Sequence, residues 1–217
     1  YYIKRYDEAW MLMNQALDIA IQIDNKKQIV ACHKQLYYLC REFKRVMNER
    51  GDEQASTLFF RESLLHEMYF SEKPRLAELT VRYEALRCDI MQQYYMNKDY
   101  DNVIRIATSL DIHDDADPNA SCLVYYYKAQ AYVKLENYPM AKEAFFRELE
   151  LRKKYLGWEE EDTILACQNL GVLHSFCNER EEALACFREA YGHEVKKNGE
   201  DSEMAQKLLQ YISVVES

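Results

Sequence analysis

The stretch "ENYPMAKEAFFRELELRKKYLG" (136–157) returns in outline as "NEREEALACFREAYGHEVKKNG" (178–199). Ala141 and Ala183, Phe145 and Phe187, and Gly157 and Gly199 each stand 42 residues apart. Coincidences at a single period of this length are the mark of stacked supersecondary units. Only 5 Gly and 3 Pro interrupt 217 residues, and Leu, Ala, Glu, Lys, Arg, Gln and Met fill the stretches between them. The repeating unit is therefore helical.

Weaker copies extend the pattern toward the N-terminus. "MNKDYDNVIRIATSL" (96–110) sets Tyr100, Val103 and Ala107 in the slots of Tyr138, Ala141 and Phe145, and "KRYDEAWMLMNQALDIA" (4–20) sets Tyr6, Ala9, Met13 and Ala16 there. "ERGDEQASTLFFRESLL" (49–65) fits more loosely around Ala55 and Phe59. Each anchor helix follows another. In "TILACQNLGVLHSF" (163–176), Leu170-Gly171 and His174 match Lys128-Ala129 and Tyr132 one unit earlier. Small residues at Ala129, Ala141, Gly171 and Ala183 let two helices approach closely, and Tyr132, Phe145 and Phe187 fill the space beside the contact.

This alternation resembles the tetratricopeptide repeat family. "CQNLGVLHSFCNEREEALACFREA" (167–190) is its best copy and "YYYKAQAYVKLENYPMAKEAFF" (125–146) the next. The 42-residue period is similar to the long variety found in kinesin light chains and in bacterial peptide-sensing regulators. The resemblance implies an all-α, right-handed superhelical solenoid of antiparallel helix hairpins over 1–217. Its expected divisions are a half repeat (1–23), a degenerate repeat (24–73) whose first helix, about Lys27 to Asn48, is long and lacks the small residue, three repeats (74–118, 119–157, 158–199) and a capping helix (200–217). Pro74 and the connection "LDIHDDADPNA" (110–120) are the expected breaks, Gly157 and Gly199 the expected helix C-termini, and Thr163 and Ser202 lie near the expected N-caps.

Charge and motif content narrow the function classes. A net charge of -9 and a pI near 5.2 disfavour direct contact with nucleic acid. No run reaches 18 apolar residues, so no membrane span or signal segment is expected, and the chain reads as cytoplasmic. Seven scattered cysteines without C-x-x-C read as reduced thiols, and no metal or cofactor is expected. No catalytic signature is present, since His66-Glu67 and His193-Glu194 each lack a second histidine four residues on; the chain is not expected to be an enzyme. His113, Asp114, Asp115 and Asp117 read as a solvated connection with Asp117 capping the turn, and "WEEED" (158–162) as carboxylates placed before a helix N-terminus. The start at Tyr1-Tyr2 suggests a piece of something longer.

The function expected is binding of a protein or peptide. By the family pattern the first helix of each hairpin lines the groove, which places Tyr126, Tyr127, Gln130 and Lys134 there, then Gln168, Asn169, Val172 and Phe176, and in the preceding unit Gln92 and Tyr95 beside Cys88, Asp89 and Met96. Tyr125 and Tyr132 fall in packing slots. The resemblance assigns the Asn169 slot to a ligand backbone. An amide offers both a donor and an acceptor, and flat tyrosine rings add contact area at low entropic cost. The slots that a chaperone-carboxylate clamp would fill with Lys and Asn hold Tyr126, Gln130, Gln168 and Val172, which disfavours that role. The alternative is a regulatory domain of a peptide-responsive transcription regulator or NTPase whose effector lies upstream. A further expectation is self-association through the terminal helices.

Overall fold

The computed structural model describes residues 2–71, 83–108 and 117–217, with side chains from residue 8 in the first stretch and from residue 85 in the second. Pro74, the Tyr6 side chain and residues 113–115 of the acidic connection lie outside the described residues. Every regular element among the described residues is an α-helix: α1 (Tyr2–Gln22), α2 (Lys26–Glu49), α3 (Glu53–Glu67), α4 (Tyr83–Met96), α5 (Tyr100–Thr108), α6 (Pro118–Lys134), α7 (Tyr138–Tyr155), α8 (Glu161–Phe176), α9 (Arg180–Asn198) and α10 (Glu203–Glu216). The chain divides into two compact units, Tyr1–Ile112 and His113–Ser217. Within each unit, successive helices pack on one another.

One turn closes five of the helix pairs. Asp24, Gly51, Lys98, Glu136 and Asn178 all have φ between 50° and 75°. In the α6–α7 turn, the Glu136 N–H donates to the Val133 carbonyl (3.1 Å) and the Asn137 N–H to the Tyr132 carbonyl (2.9 Å), and the other four turns repeat this pattern. It is a left-handed helix stop that satisfies two orphan carbonyls. The next residue then starts the following helix: side-chain oxygens of Asn25, Asp52, Asp99 and Asn137 accept from the backbone N–H three residues on. Stop and start share adjacent residues, so these connections are short.

Longer connections end helices differently. Gly157 and Gly199 adopt φ of 77° and 87° after α7 and α9. Asp117 caps α6 ahead of Pro118, and Ser202 caps α10 by accepting from the Ala205 N–H at 3.1 Å. Thr163 lies near a cap as expected, as the third residue of α8, with its N–H donating to the Glu160 carbonyl at 3.0 Å. Glu160 occupies the cap without a side-chain bond, and Glu161 and Asp162 place their charge in the first turn, where the helix dipole favours it.

The second unit is held by interlocked small and large side chains. Ala129, Ala141, Ala183 and Ala190 are fully buried with Phe145, Leu149, Ile164, Leu170 and Phe187. A Cβ added to Gly171 would stand 2.8 Å from the Phe187 ring and 3.0 Å from Cys186 Cβ, so only glycine permits this approach of α8 to α9. α10 closes the end through Leu208 and through Tyr211, which stacks on Phe187 at 5.2 Å.

The first unit has a polar centre. Glu62 of α3 is fully buried and accepts from Arg105 Nη2 of α5 (2.5 Å) and from the Tyr94 hydroxyl of α4 (2.6 Å). Burial alone would favour the protonated acid, but Arg105 and the Tyr94 hydroxyl stabilise the carboxylate and hold the group at about 2. Arg105 also donates to Asn102 and to Asn14 of α1, and its guanidinium lies 4.9 Å over Trp10. Trp10 in turn meets Phe43 and Phe59 edge-on, and these two rings stack at 4.7 Å. Arg87 of α4 donates to the carbonyls of Ile106 and Ala107, satisfying the end of α5 from inside.

Two measurable consequences arise. A non-glycine residue in the left-handed region costs about 1–2 kcal/mol, against about 0.5–1 kcal/mol of added unfolded-state freedom for glycine. Glu136→Gly should therefore raise stability by about 0.5–1 kcal/mol in a urea melt. Burial pushes the Glu148 carboxyl up from its ordinary 4.5 to about 7, although Arg152 Nε donates to it at 2.8 Å. The folded state thus holds this proton more tightly than the unfolded chain, and the associated stability is complete below pH 4.5 and lost as pH rises through 7. Glu148→Gln should flatten the fall in stability between about pH 5 and 7, which is worth about 2–3 kcal/mol.

Candidate functional site

The hairpin geometry of the second unit leaves a cleft between α6, α7 and α8. Gln130 and Val133 of α6, Tyr138 and Phe145 of α7, and Asn169, Val172, Leu173 and Phe176 of α8 line a space of about 250 Å³. Gln130 and Val133 lie on one face of α6, three residues apart, and Asn169, Val172, Leu173 and Phe176 follow the i, i+3, i+4, i+7 spacing of one face of α8. Apolar surface dominates. Val172 is 42% exposed and Phe176 66% exposed, so large apolar side chains stand open to solvent around the cleft. The Phe176 ring sits 5.1 Å from that of Tyr138.

Two amides punctuate this surface. Among the described residues, neither the Gln130 nor the Asn169 side chain has a hydrogen-bond partner, while both are half-buried. A ligand placing a backbone amide here would meet donors and acceptors that are available and partly desolvated.

The other residues expected at the groove are placed variously. Lys134 is exposed at the end of α6. Tyr126 is half-buried against the apolar core of the unit, with its ring 6.4 Å from Phe145 and 5.4 Å from Tyr127, so it supports the cleft wall from behind Phe145. Tyr125, expected in a packing slot, lines a separate pocket with Lys128, Met140, Glu143 and Arg147. Gln168, expected to face the groove, is buried on the core side of α8, with its side-chain oxygen lacking a hydrogen-bond partner. Gln92 and Tyr95 belong to the first unit, where Tyr95 meets Tyr100 edge-on at 5.5 Å. The structure brings Gln130, Asn169, Val172 and Phe176 to one cleft.

A small ionic network ties the α6–α7 hairpin to the α8–α9 hairpin. Glu179, in the turn between α8 and α9, accepts from Lys142 of α7 and lies 2.6 Å from His174 Nδ1. The lysine and the histidine together hold the Glu179 carboxyl below the usual range.

No protein-family model matches the chain, and no curated protein matches it. Among solved structures, the crystal structure of BtubC (BKLC) from P. vanneervenii is similar, with a TM-score of 0.57 and 13% sequence identity over 97% of this chain and 82% of that one. The likeness shows the fold, a tetratricopeptide-like helical repeat. No helix among the described residues is long and apolar enough to cross a membrane.

The placement of the rings separates two roles by experiment. Tyr126→Ala should lower stability by about 1–3 kcal/mol, through lost packing behind Phe145. Phe176→Ala, at an exposed position, should leave the thermal melt within about 0.5 kcal/mol of the parent.

Proposed function

We propose that the chain is a protein-interaction module that takes a peptide segment in the cleft of its second unit. One observation carries this reading: an apolar cleft with open aromatic and aliphatic walls also holds two half-buried amides, Gln130 and Asn169, with no hydrogen-bond partner among the described residues. Such a surface suits a large apolar side chain inserted between Val172, Phe176 and Tyr138 while the amides grip the neighbouring peptide bond. The fold adds support, because stacked helical hairpins supply side-chain surfaces on a rigid frame rather than a reactive constellation. None of the described cysteines and histidines is in the cleft lining.

Selection of peptides from a random display library on the purified chain, followed by fluorescence anisotropy on a selected peptide, tests the assignment. Asn169→Ala removes one or two hydrogen bonds of about 1 kcal/mol each, so affinity should fall about 5- to 30-fold with helicity and melting unchanged. Phe176→Ala should weaken the same peptide. Undiminished affinity in both variants would place the peptide elsewhere.

A further inference from the structure

Around one end of the ion pair of the first unit, and sharing Glu62 with it, lies a group of side chains able to bind a metal. Cys40 of α2 and Glu62 and His66 of α3 are fully buried, and Glu62 and His66 share one helix face four residues apart. The cysteine sulfur, a carboxylate oxygen and an imidazole nitrogen all lie within 4.8 Å of one another. His66 Nε2 has no hydrogen-bond partner although it is completely buried, and it faces Glu62 Oε1 at 3.6 Å. That separation is too long for a hydrogen bond. It is close to the roughly 3.4 Å between two ligand atoms on one tetrahedral ion, given metal–nitrogen and metal–oxygen bonds of about 2.1 Å.

The other nitrogen of the ring points to the same conclusion. His66 Nδ1 and His33 Nδ1 stand 2.9 Å apart, so one must carry the hydrogen and the other accept it. With His66 as donor, its Nε2 is left bare and opposes the carboxylate lone pairs, an arrangement that a cation between them would relieve. His33 then plays the part of the outer acceptor that orients a metal-bound histidine. His33 is itself clamped by Tyr69, which stacks on it at 3.7 Å. Tyr94 and Arg105 similarly fix the Glu62 carboxylate.

We propose that Cys40, Glu62 and His66 form a site for a zinc-type divalent ion, with His33 as its outer-shell partner. A thiolate with an imidazole and a carboxylate suits Zn²⁺ or Co²⁺ and excludes the hard cations Mg²⁺ and Ca²⁺, which take oxygen alone. As the ion enters, the sulfur–metal bond replaces the sulfur–hydrogen bond of Cys40 and the proton leaves to solvent. Ion, thiolate and carboxylate together are neutral, so Arg105 keeps its place against Glu62 without facing a bare dication. A fourth position remains for a small ligand such as water. Neither the C-x-x-C nor the H-E-x-x-H spacing reveals such a site, because its ligands come from two helices.

The full chain, purified, given Zn²⁺ and passed through a desalting column, should retain about one equivalent. Replacement by Co²⁺ should produce a near-ultraviolet thiolate-to-cobalt band. Cys40→Ser should abolish that band, Cys186→Ser should leave it, and His33→Phe should weaken metal affinity about 10- to 100-fold. X-ray absorption on the zinc-loaded parent chain should show one sulfur among nitrogen and oxygen neighbours, a measurement that stands even if a variant fails to fold. Retention below about a tenth of an equivalent, or a spectrum with two or more sulfur neighbours, would overturn the assignment.

Discussion

A carboxylate taken wholly out of water needs a cation against it, and in the first unit Glu62 has Arg105. Neither partner can be removed without stranding the other, at about 3–5 kcal/mol. Around this pair the unit is organised outward: Tyr94 brings α4 to the carboxylate, Asn14 and Trp10 bring α1 to the guanidinium, and the stacked rings of Phe43 and Phe59 join α2 and α3 beneath Trp10. Five helices thus take their positions from one charge pair. Such an arrangement demands particular geometry, whereas an apolar core of equal volume would tolerate many.

The second unit solves the same problem without a charge at its centre. Gly171 and a series of alanines let backbones come close, and Phe145, Phe187 and Tyr211 occupy what remains. Buried charge lies toward the end of α7, where Glu148 and Arg152 pair near Asp162, and at Glu194 of α9, which accepts from Asn198 and Ser202. With the interior filled by small and aromatic residues, the surplus apolar side chains of α8, Val172 and Phe176, are left facing outward beside two unoccupied amides. The cleft is a by-product of how tightly α8 and α9 meet on its other face.

The hairpins could be read from the chain because their determinants are local and periodic. The 42-residue recurrence of Ala, Phe and Gly marks α6 to α9, and Asp117, Ser202, Gly157 and Gly199 act where turn and cap chemistry place them. Gln130 and Asn169 could be named from their slots, but Gln168 could not. Neighbours on a helix differ by about 100°, and a small error in helix phase exchanges Gln168 for Asn169, or Tyr125 for Tyr126. The polar centre of the first unit left no trace in the sequence. Glu62 lies 43 residues from Arg105, and Asn14 lies 91 residues from it. The turns were equally hidden, since four of the five use Asp24, Lys98, Glu136 or Asn178 where glycine would have announced a left-handed residue.

Those turns bear on the order in which the molecule assembles. Each closes on hydrogen bonds spanning three and five residues, so a helix pair can come together at almost no loop-closure cost, on the time scale of helix formation itself. The link from Arg105 to Asn14 must wait until every intervening helix is in place. Hairpins would thus form early and interchangeably, and the buried charge pair would act as the late step that commits the first unit to a single arrangement.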